Sequence, residues 1–286
     1  MYPIILMITS CFFFSVLAGL IKFISAIIHP IEQAFFRNLI SVIILCFFLL
    51  LKKDLFTPKK SNFNLLCLRA ILGGITMILL FCSYTLIPLS QAMAISFSTP
   101  LFICLGGYLI FKETMSRSMI IYIILGFLLT LVIIRPDLSL QIGTLLALAA
   151  AITHAITGLI VKKLSFSENV FTLMFSMVFL MTPITLIPSL FVWEPPSDRY
   201  TIIMLILIAL CATLGNYCWT KSISLSQLKS VMPFDFTKLL FTTLIGFIFF
   251  KEEIDKITII CGSALILINS LIAKKITHEK NFTTNN

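Results

Sequence analysis

The sequence predicts an all-α polytopic membrane protein of ten transmembrane helices, arranged as two inverted five-helix repeats. Three observations carry that expectation. Of the 286 residues, 59% are hydrophobic and 12% charged, at a mean hydropathy of +1.08. The apolar residues gather in runs close to the ~20 that a helix needs to cross a bilayer. Lys and Arg collect in alternate connections between those runs, and several short patterns recur at nearly one spacing. Alternation over about ten residues, the mark of a membrane barrel, is absent. The net charge of +9 lies in connections and not on one soluble basic face, so it argues for orientation in a membrane and against nucleic acid.

The runs fall at 3–22, 32–51, 68–87, 91–111, 117–135, 140–161, 170–191, 201–222, 227–250 and 256–274. The first lacks a basic leader and a small-residue cleavage pattern, so it reads as a retained span. The second opens at Glu32. The longest connection, between Lys52 and Leu68, holds four lysines and a proline. The fourth is bracketed by Leu89-Ser90-Gln91 and Phe111-Lys112-Glu113, the ninth by Leu225-Ser226-Gln227 and Phe250-Lys251-Glu252. No connection has room for a folded extramembrane domain, so the spans themselves must carry the function.

With the N-terminus inside, fourteen Lys and Arg fall in cytoplasmic connections, among them Lys52, Lys53, Lys59, Lys60, Arg69, Lys162, Lys163 and Lys221. Five fall outside: Lys22, Arg135, Arg199, Lys251 and Lys256. That bias predicts cytoplasmic termini, and an even span count.

The brackets around spans four and nine lie 136 to 139 residues apart, as do Gly19-Leu20-Ile21 and Gly158-Leu159-Ile160, and Glu32 and Glu168. This divides the chain into 1–137, 138–275 and a cytoplasmic tail, 276–286. Five spans per half is an odd number, so the halves face opposite ways. Such inverted repeats mark alternating-access carriers whose substrate binds near the midplane.

The chemistry concentrates in Met232-Pro233-Phe234-Asp235-Phe236-Thr237-Lys238, inside the ninth span. A charge at the centre of a membrane helix costs about 2.5–3.5 kcal/mol, so it faces a protein interior or a wet cavity. On a continuous helix Gln227, Asp235, Lys238 and Thr242 share a sector of about 80°. The competing reading is a self-neutralising ion pair that fixes packing. Arg37 shares a stripe with Gln33 and Ser41; against a ligand role stands a structural arginine capped by Glu32 or loop carbonyls. These charges have no counterpart in the other half, which makes them candidates for ligand contact. His154, Asn216 and Thr213 mark further polar positions. Tyr84, Tyr217 and Trp219 lie towards span ends, as interface anchors or as cavity walls that stack on a ligand. The glycines read as sites of close helix approach.

The eight cysteines sit in or at the ends of apolar runs with no C-x-x-C pair, and read as small hydrophobes. No nucleophile elbow, phosphate loop or metal-ligand cluster occurs, so neither a cofactor nor a metal is expected.

Ten spans, two inverted halves and a glutamate closing spans four and nine resemble the drug/metabolite transporter superfamily, EamA type, over nearly the whole chain. Residues 31–37, 95–102 and 232–236 are most similar to the branch containing S-adenosylmethionine uptake transporters of intracellular bacteria.

The expectation is therefore an inner-membrane carrier of a small polar metabolite, with half-helices around Pro100 and Pro233. The substrate-binding set is Arg37, Tyr84, Asn216, Trp219, Asp235 and Lys238. Arg37 would hold a carboxylate, Asp235 a substrate cation or coupling proton, and Lys238 would balance it. S-adenosylmethionine suits such a site; so do amino acids and several vitamins. An exporter of amino acids or drugs, and an intramembrane enzyme using Asp235 and His154, are the rival readings. The expected partners are the substrate and membrane lipid, with a homodimer left open.

Overall fold

The computed structural model describes residues 1–51, 55–87, 92, 95–96, 98–112, 117–134, 142–194, 196, 198–251, 260, 263–264 and 267. Among these, all regular structure is helical. Seven helical segments are long and apolar enough to cross a membrane, and two shorter apolar stretches accompany them. The chain is thus a multi-pass helical membrane protein. Most of the tenth expected span, the tail, and the markers Leu89, Ser90, Gln91, Glu113 and Glu252 lie outside the described residues.

In chain order the helices are α1 (Tyr2–Ile24), α2 (Pro30–Leu51), α3 (Phe63–Leu86), α4 (Ser98–Phe111), α5 (Arg117–Ile134), α6 (Ile142–Leu164), α7 (Val170–Ser189), α8 (Arg199–Leu225), α9 (Leu228–Val231) and α10 (Thr237–Phe250). Their ends follow local chemistry. Proline opens α1 and α2, where its missing N–H costs nothing. The Asn169 side chain accepts from Thr172 N at 2.7 Å and that of Asp198 from Thr201 N at 3.2 Å, each satisfying an orphan donor of α7 or α8.

Two expectations need correction. The third helix starts at Phe63, five positions earlier than the hydropathy run, so Arg69 lies inside it and is buried. Pro100 stands in the first turn of α4, and Ala92, Ile95 and Ser96 ahead of it are helical as well. The ninth run is broken: α9 ends at Val231, a tight 3-10 turn covers Met232–Phe236, and α10 begins at Thr237. Pro233 cannot donate to a continuing ladder. The stripe drawn on a continuous helix therefore fails, and Gln227 is left exposed at the entry to α9.

Packing partners exchange between the halves. Helix α1 runs along α8 as α6 runs along α3, α1 meets α10 as α6 meets α4, and α3 meets α7 as α8 meets α2. The turns match as well. Ser25 Oγ donates to Lys22 O and Ser165 Oγ to Lys162 O, both at 2.7 Å, each just after its helix. Ile28 N bonds Ile24 O at 3.0 Å and Glu168 N bonds Leu164 O at 2.9 Å, so the chain leaves α1 and α6 by the same path. Lys112 and Lys251, which follow α4 and α10, both adopt the left-handed conformation, at φ 52° and 54°.

Candidate functional site

The helices enclose a cavity with about 140 Å³ open to water-sized molecules. Its wall is mostly apolar, with polar groups contributed by α2, α3, α4, α6, α8 and the break before α10. All six residues singled out in the sequence line it: Arg37, Tyr84, Asn216, Trp219, Asp235 and Lys238.

The break places the ion pair. Asp235 sits in the 3-10 turn and Lys238 in the first turn of α10, with Asp235 Oδ1 and Lys238 Nζ 2.6 Å apart. Helix α1 backs the pair. Cys11 Sγ lies 3.7 Å from Asp235 Oδ1, Ser15 Oγ donates to Lys238 O at 3.2 Å, and Lys238 Nζ stands 5.3 Å from the Phe14 ring centre. An ammonium over an aromatic face gains attraction when it is desolvated. Thr242 is buried but donates to Lys238 O, closing on its own helix.

Arg37 approaches from α2. Its Nη1 donates to Asn38 Oδ1 at 2.8 Å and contacts Met77 Sδ at 3.1 Å, while Nε is buried without a partner. Glu32 does not cap it: that carboxylate accepts the Glu194 amide at 3.2 Å. Gln33 and Ser41 point elsewhere, Gln33 Nε2 to Ile28 O and Ser41 Oγ accepting from Thr213.

The aromatic wall is formed by Tyr84 stacked near Phe81, centroids 6.4 Å apart, and Trp219 beside His154 at 5.2 Å. Tyr84 and Trp219 are thus buried cavity walls and not interface anchors, whereas Tyr217 is exposed. Asn216 Nδ2 is held by Ala212 O at 2.9 Å, which fixes its amide on α8.

Sequence reasoning missed Arg69, which lines the cavity from α3 and donates from Nη1 to Leu173 O at 2.5 Å. It stands second in the run 68–87 and so reads as the edge of the cytoplasmic loop; the signal for an earlier start is Asn62 ahead of Phe63-Asn64-Leu65-Leu66-Cys67. Ser96 and Thr99 were missed too. They carry no charge and look ordinary in a hydropathy plot.

A polytopic helical bundle around a polar-tipped internal cavity defines a membrane transporter more readily than any soluble class. The comparisons agree: the chain matches the EamA-like transporter family over residues 1–135 and again over 141–273, and belongs to that family. It is similar to the S-adenosylmethionine uptake transporter of Rickettsia conorii, 27% identical over 258 residues, covering 87% of this chain and 84% of that one. It is similar to the pseudopaline exporter CntI of Pseudomonas aeruginosa, 23% identical over 270 residues and 93% of each chain. Against the riboflavin transporter of Vibrio cholerae it is 27% identical over 165 residues, 57% of this chain; the match spans about half of that protein's length, 55%. The family and these relatives are transporters and not enzymes, which sets aside a membrane enzyme built on Asp235 and His154.

Proposed function

We propose that the protein is a secondary transporter of a small polar metabolite in the bacterial inner membrane, with uptake of S-adenosylmethionine as its first candidate activity. The observation that carries this reading is the buried Asp235–Lys238 pair at a helix break, facing the same cavity as Arg37. Broken helices at membrane depth occur where they line a substrate path. Arg37 would hold the carboxylate, Asp235 a substrate cation or a coupling proton, and Lys238 would balance Asp235. Tyr84 and Trp219 would stack on a flat ring, with Asn216 hydrogen-bonding its edge.

Alternating access would run on two inverted five-helix repeats, 1–137 and 138–275. The exchange of packing partners, the matched turns and the double family match support that division. Both termini would be cytoplasmic, by the Lys and Arg bias. The water-accessible space falls below the ~300–1,000 Å³ of small-molecule pockets, so a nucleoside-sized cargo would enter only as the helices separate. A single chain builds the cavity, so a homodimer would carry two separate paths.

Export is the second reading, favoured by similarity to the pseudopaline exporter along 93% of both chains. Purified protein in proteoliposomes, given labelled S-adenosylmethionine, amino acids and riboflavin in either orientation, tests both. Accumulation of S-adenosylmethionine, competed by the unlabelled compound, is the expected result. Transport of another compound alone would replace the substrate, and movement of none would overturn the carrier reading.

A further inference from the structure

Among the described residues the charges of the cavity do not balance. Among the described residues its lining holds three cationic side chains, Arg37, Arg69 and Lys238, and one carboxylate, Asp235. Asp235 is committed to Lys238 at 2.6 Å. The other described acids lie elsewhere: Glu32 with the Glu194 amide, Glu168 with Lys59 N and Asn62, Asp198 with Thr201, and Glu194 itself in a separate surface pocket beside His29 and Trp193. Both arginines are almost wholly buried, at 5% and 1% exposure, and the Nε of each lacks a partner. Neutral groups hold their Nη1 atoms: Asn38 and Met77 for Arg37, and the Leu173 carbonyl for Arg69.

The guanidiniums are also set apart. Arg37 touches Met77 on α3, the helix that carries Arg69. At 1.5 Å per residue, Arg69 and Met77 are about 12 Å apart along that axis. The cavity therefore has one guanidinium where its α3 wall begins, at Arg69, and another beside Met77, midway along that wall before Tyr84, with Asp235 and Lys238 neutralising each other.

We propose that Arg69 is a second anion-binding residue of this cavity and that the ligand is a dicarboxylate, one acid group meeting Arg37 and the other Arg69. A guanidinium in low dielectric is best compensated by a planar carboxylate that accepts two parallel N–H bonds. Each arginine is already held at Nη1 by neutral groups, which leaves one unit of positive charge apiece and matches one monoanionic carboxylate at each. The assignment rests on the carrier reading above, but moves the substrate class away from S-adenosylmethionine. That molecule sets one carboxylate against an amine and a sulfonium, and would leave one arginine uncompensated.

Only two tryptophans occur, Trp193 and Trp219, and Trp219 lines the cavity. In a Trp193→Phe background of the full chain in detergent, Trp219 fluorescence reports binding. Succinate, glutarate and adipate are titrated against butyrate, pentanoate and hexanoate at equal ionic strength, with S-adenosylmethionine alongside. The expected result is binding of at least one dicarboxylate about tenfold tighter than its monocarboxylate match, as one further charge-assisted contact provides. Arg69→Gln should remove that ratio while leaving monocarboxylate affinity in place; Arg69→Lys should restore part of it. Equal affinity within every pair, no response to any acid, or an unchanged ratio in a folded Arg69→Gln protein would overturn the assignment. Should Arg69→Gln not fold, the wild-type ratio and Arg69→Lys decide. Counterflow of labelled glutarate and S-adenosylmethionine in proteoliposomes separates the two readings. A dicarboxylate preference without any flux sinks the carrier and keeps the site. Flux with no preference does the reverse.

Discussion

On the proposed division into two repeats, Ser96 and Thr99 of the first half are the counterparts of Asp235 and Lys238 in the second, 139 positions further on, and both pairs line the cavity. The same contrast recurs along α1 and α6, where Phe14 and Leu17 correspond to His154 and Thr157, and along α2 and α7, where Arg37 corresponds to Met177. At each pair one member is charged or polar and the other is milder. Away from the cavity the halves agree: Ser25 and Ser165 close equivalent turns, and Lys112 and Lys251 hold equivalent left-handed positions. A backbone common to the two proposed repeats would constrain turns and crossings alike in both. A ligand has no such symmetry, so the wall that meets it is free to diverge.

The largest expected effect breaks the contrast where it is sharpest. Asp235→Asn and Lys238→Met should each abolish transport. In a dry contact, removing one partner of a buried pair costs roughly 3–5 kcal/mol, because the other charge is left uncompensated. The double variant distinguishes packing from function: a packing pair predicts recovered transport, whereas a cavity pair predicts a folded, inactive protein. Normal uptake by a folded double variant would show that this divergence between halves is idle.

The sequence disclosed these residues unevenly, for physical reasons. Charge in an apolar run is visible at any register, so Arg37, Asp235 and Lys238 could be singled out by composition alone. Orientation was less accessible. The stripe through Gln227 assumed an unbroken helix, and the 3-10 turn at Met232–Phe236 rotates what precedes it away from the cavity. Arg69 was hidden by the opposite fault, a helix that reaches back to Phe63 and so places this charge in its second turn and not at its edge. Glu32 and Glu168 looked equivalent by spacing. In the structure Glu32 lies in the first turn of α2, while Glu168 precedes α7 and holds the loop before α3 through Lys59 and Asn62.

A middle-sized effect tests the shared scaffold. A Cβ on Gly19 would come within 2.8 Å of Ile245 Cγ2, and one on Gly158 within 2.7 Å of Ile103 Cδ1. These are the α1–α10 and α6–α4 crossings, which the halves exchange. Gly19→Val and Gly158→Val should each cost about 1–3 kcal/mol by overpacking. Ile245→Ala and Ile103→Ala, respectively, should recover part of that in thermal unfolding of the detergent-solubilised protein. Gly158 also lies 3.4 Å from Trp219 by the same construction, so its variant should reduce transport more than Gly19→Val at equal stability. Equal transport from both would remove Trp219 from the functional wall.

The smallest effect sharpens the comparison most closely, because it concerns two residues of one type in one conformation. Lys112 and Lys251 follow α4 and α10 with φ of 52° and 54°, where a Cβ crowds the following carbonyl. Glycine carries no such penalty but loses more chain entropy on folding. The two terms oppose one another, so Lys112→Gly and Lys251→Gly should each raise stability by about 0–1 kcal/mol. Valine, branched at Cβ and strained at positive φ, should lower it at both sites. Neither glycine change should invert the protein, since one lysine is a small part of a fourteen-to-five bias. Thermal midpoints of the four variants in one detergent read the result. Parallel shifts at the two sites would mean that both caps obey the same backbone constraint, as a shared scaffold requires. A gain at one site with a loss at the other would mean that these lysines differ in what they hold, and that the halves diverge beyond the cavity wall.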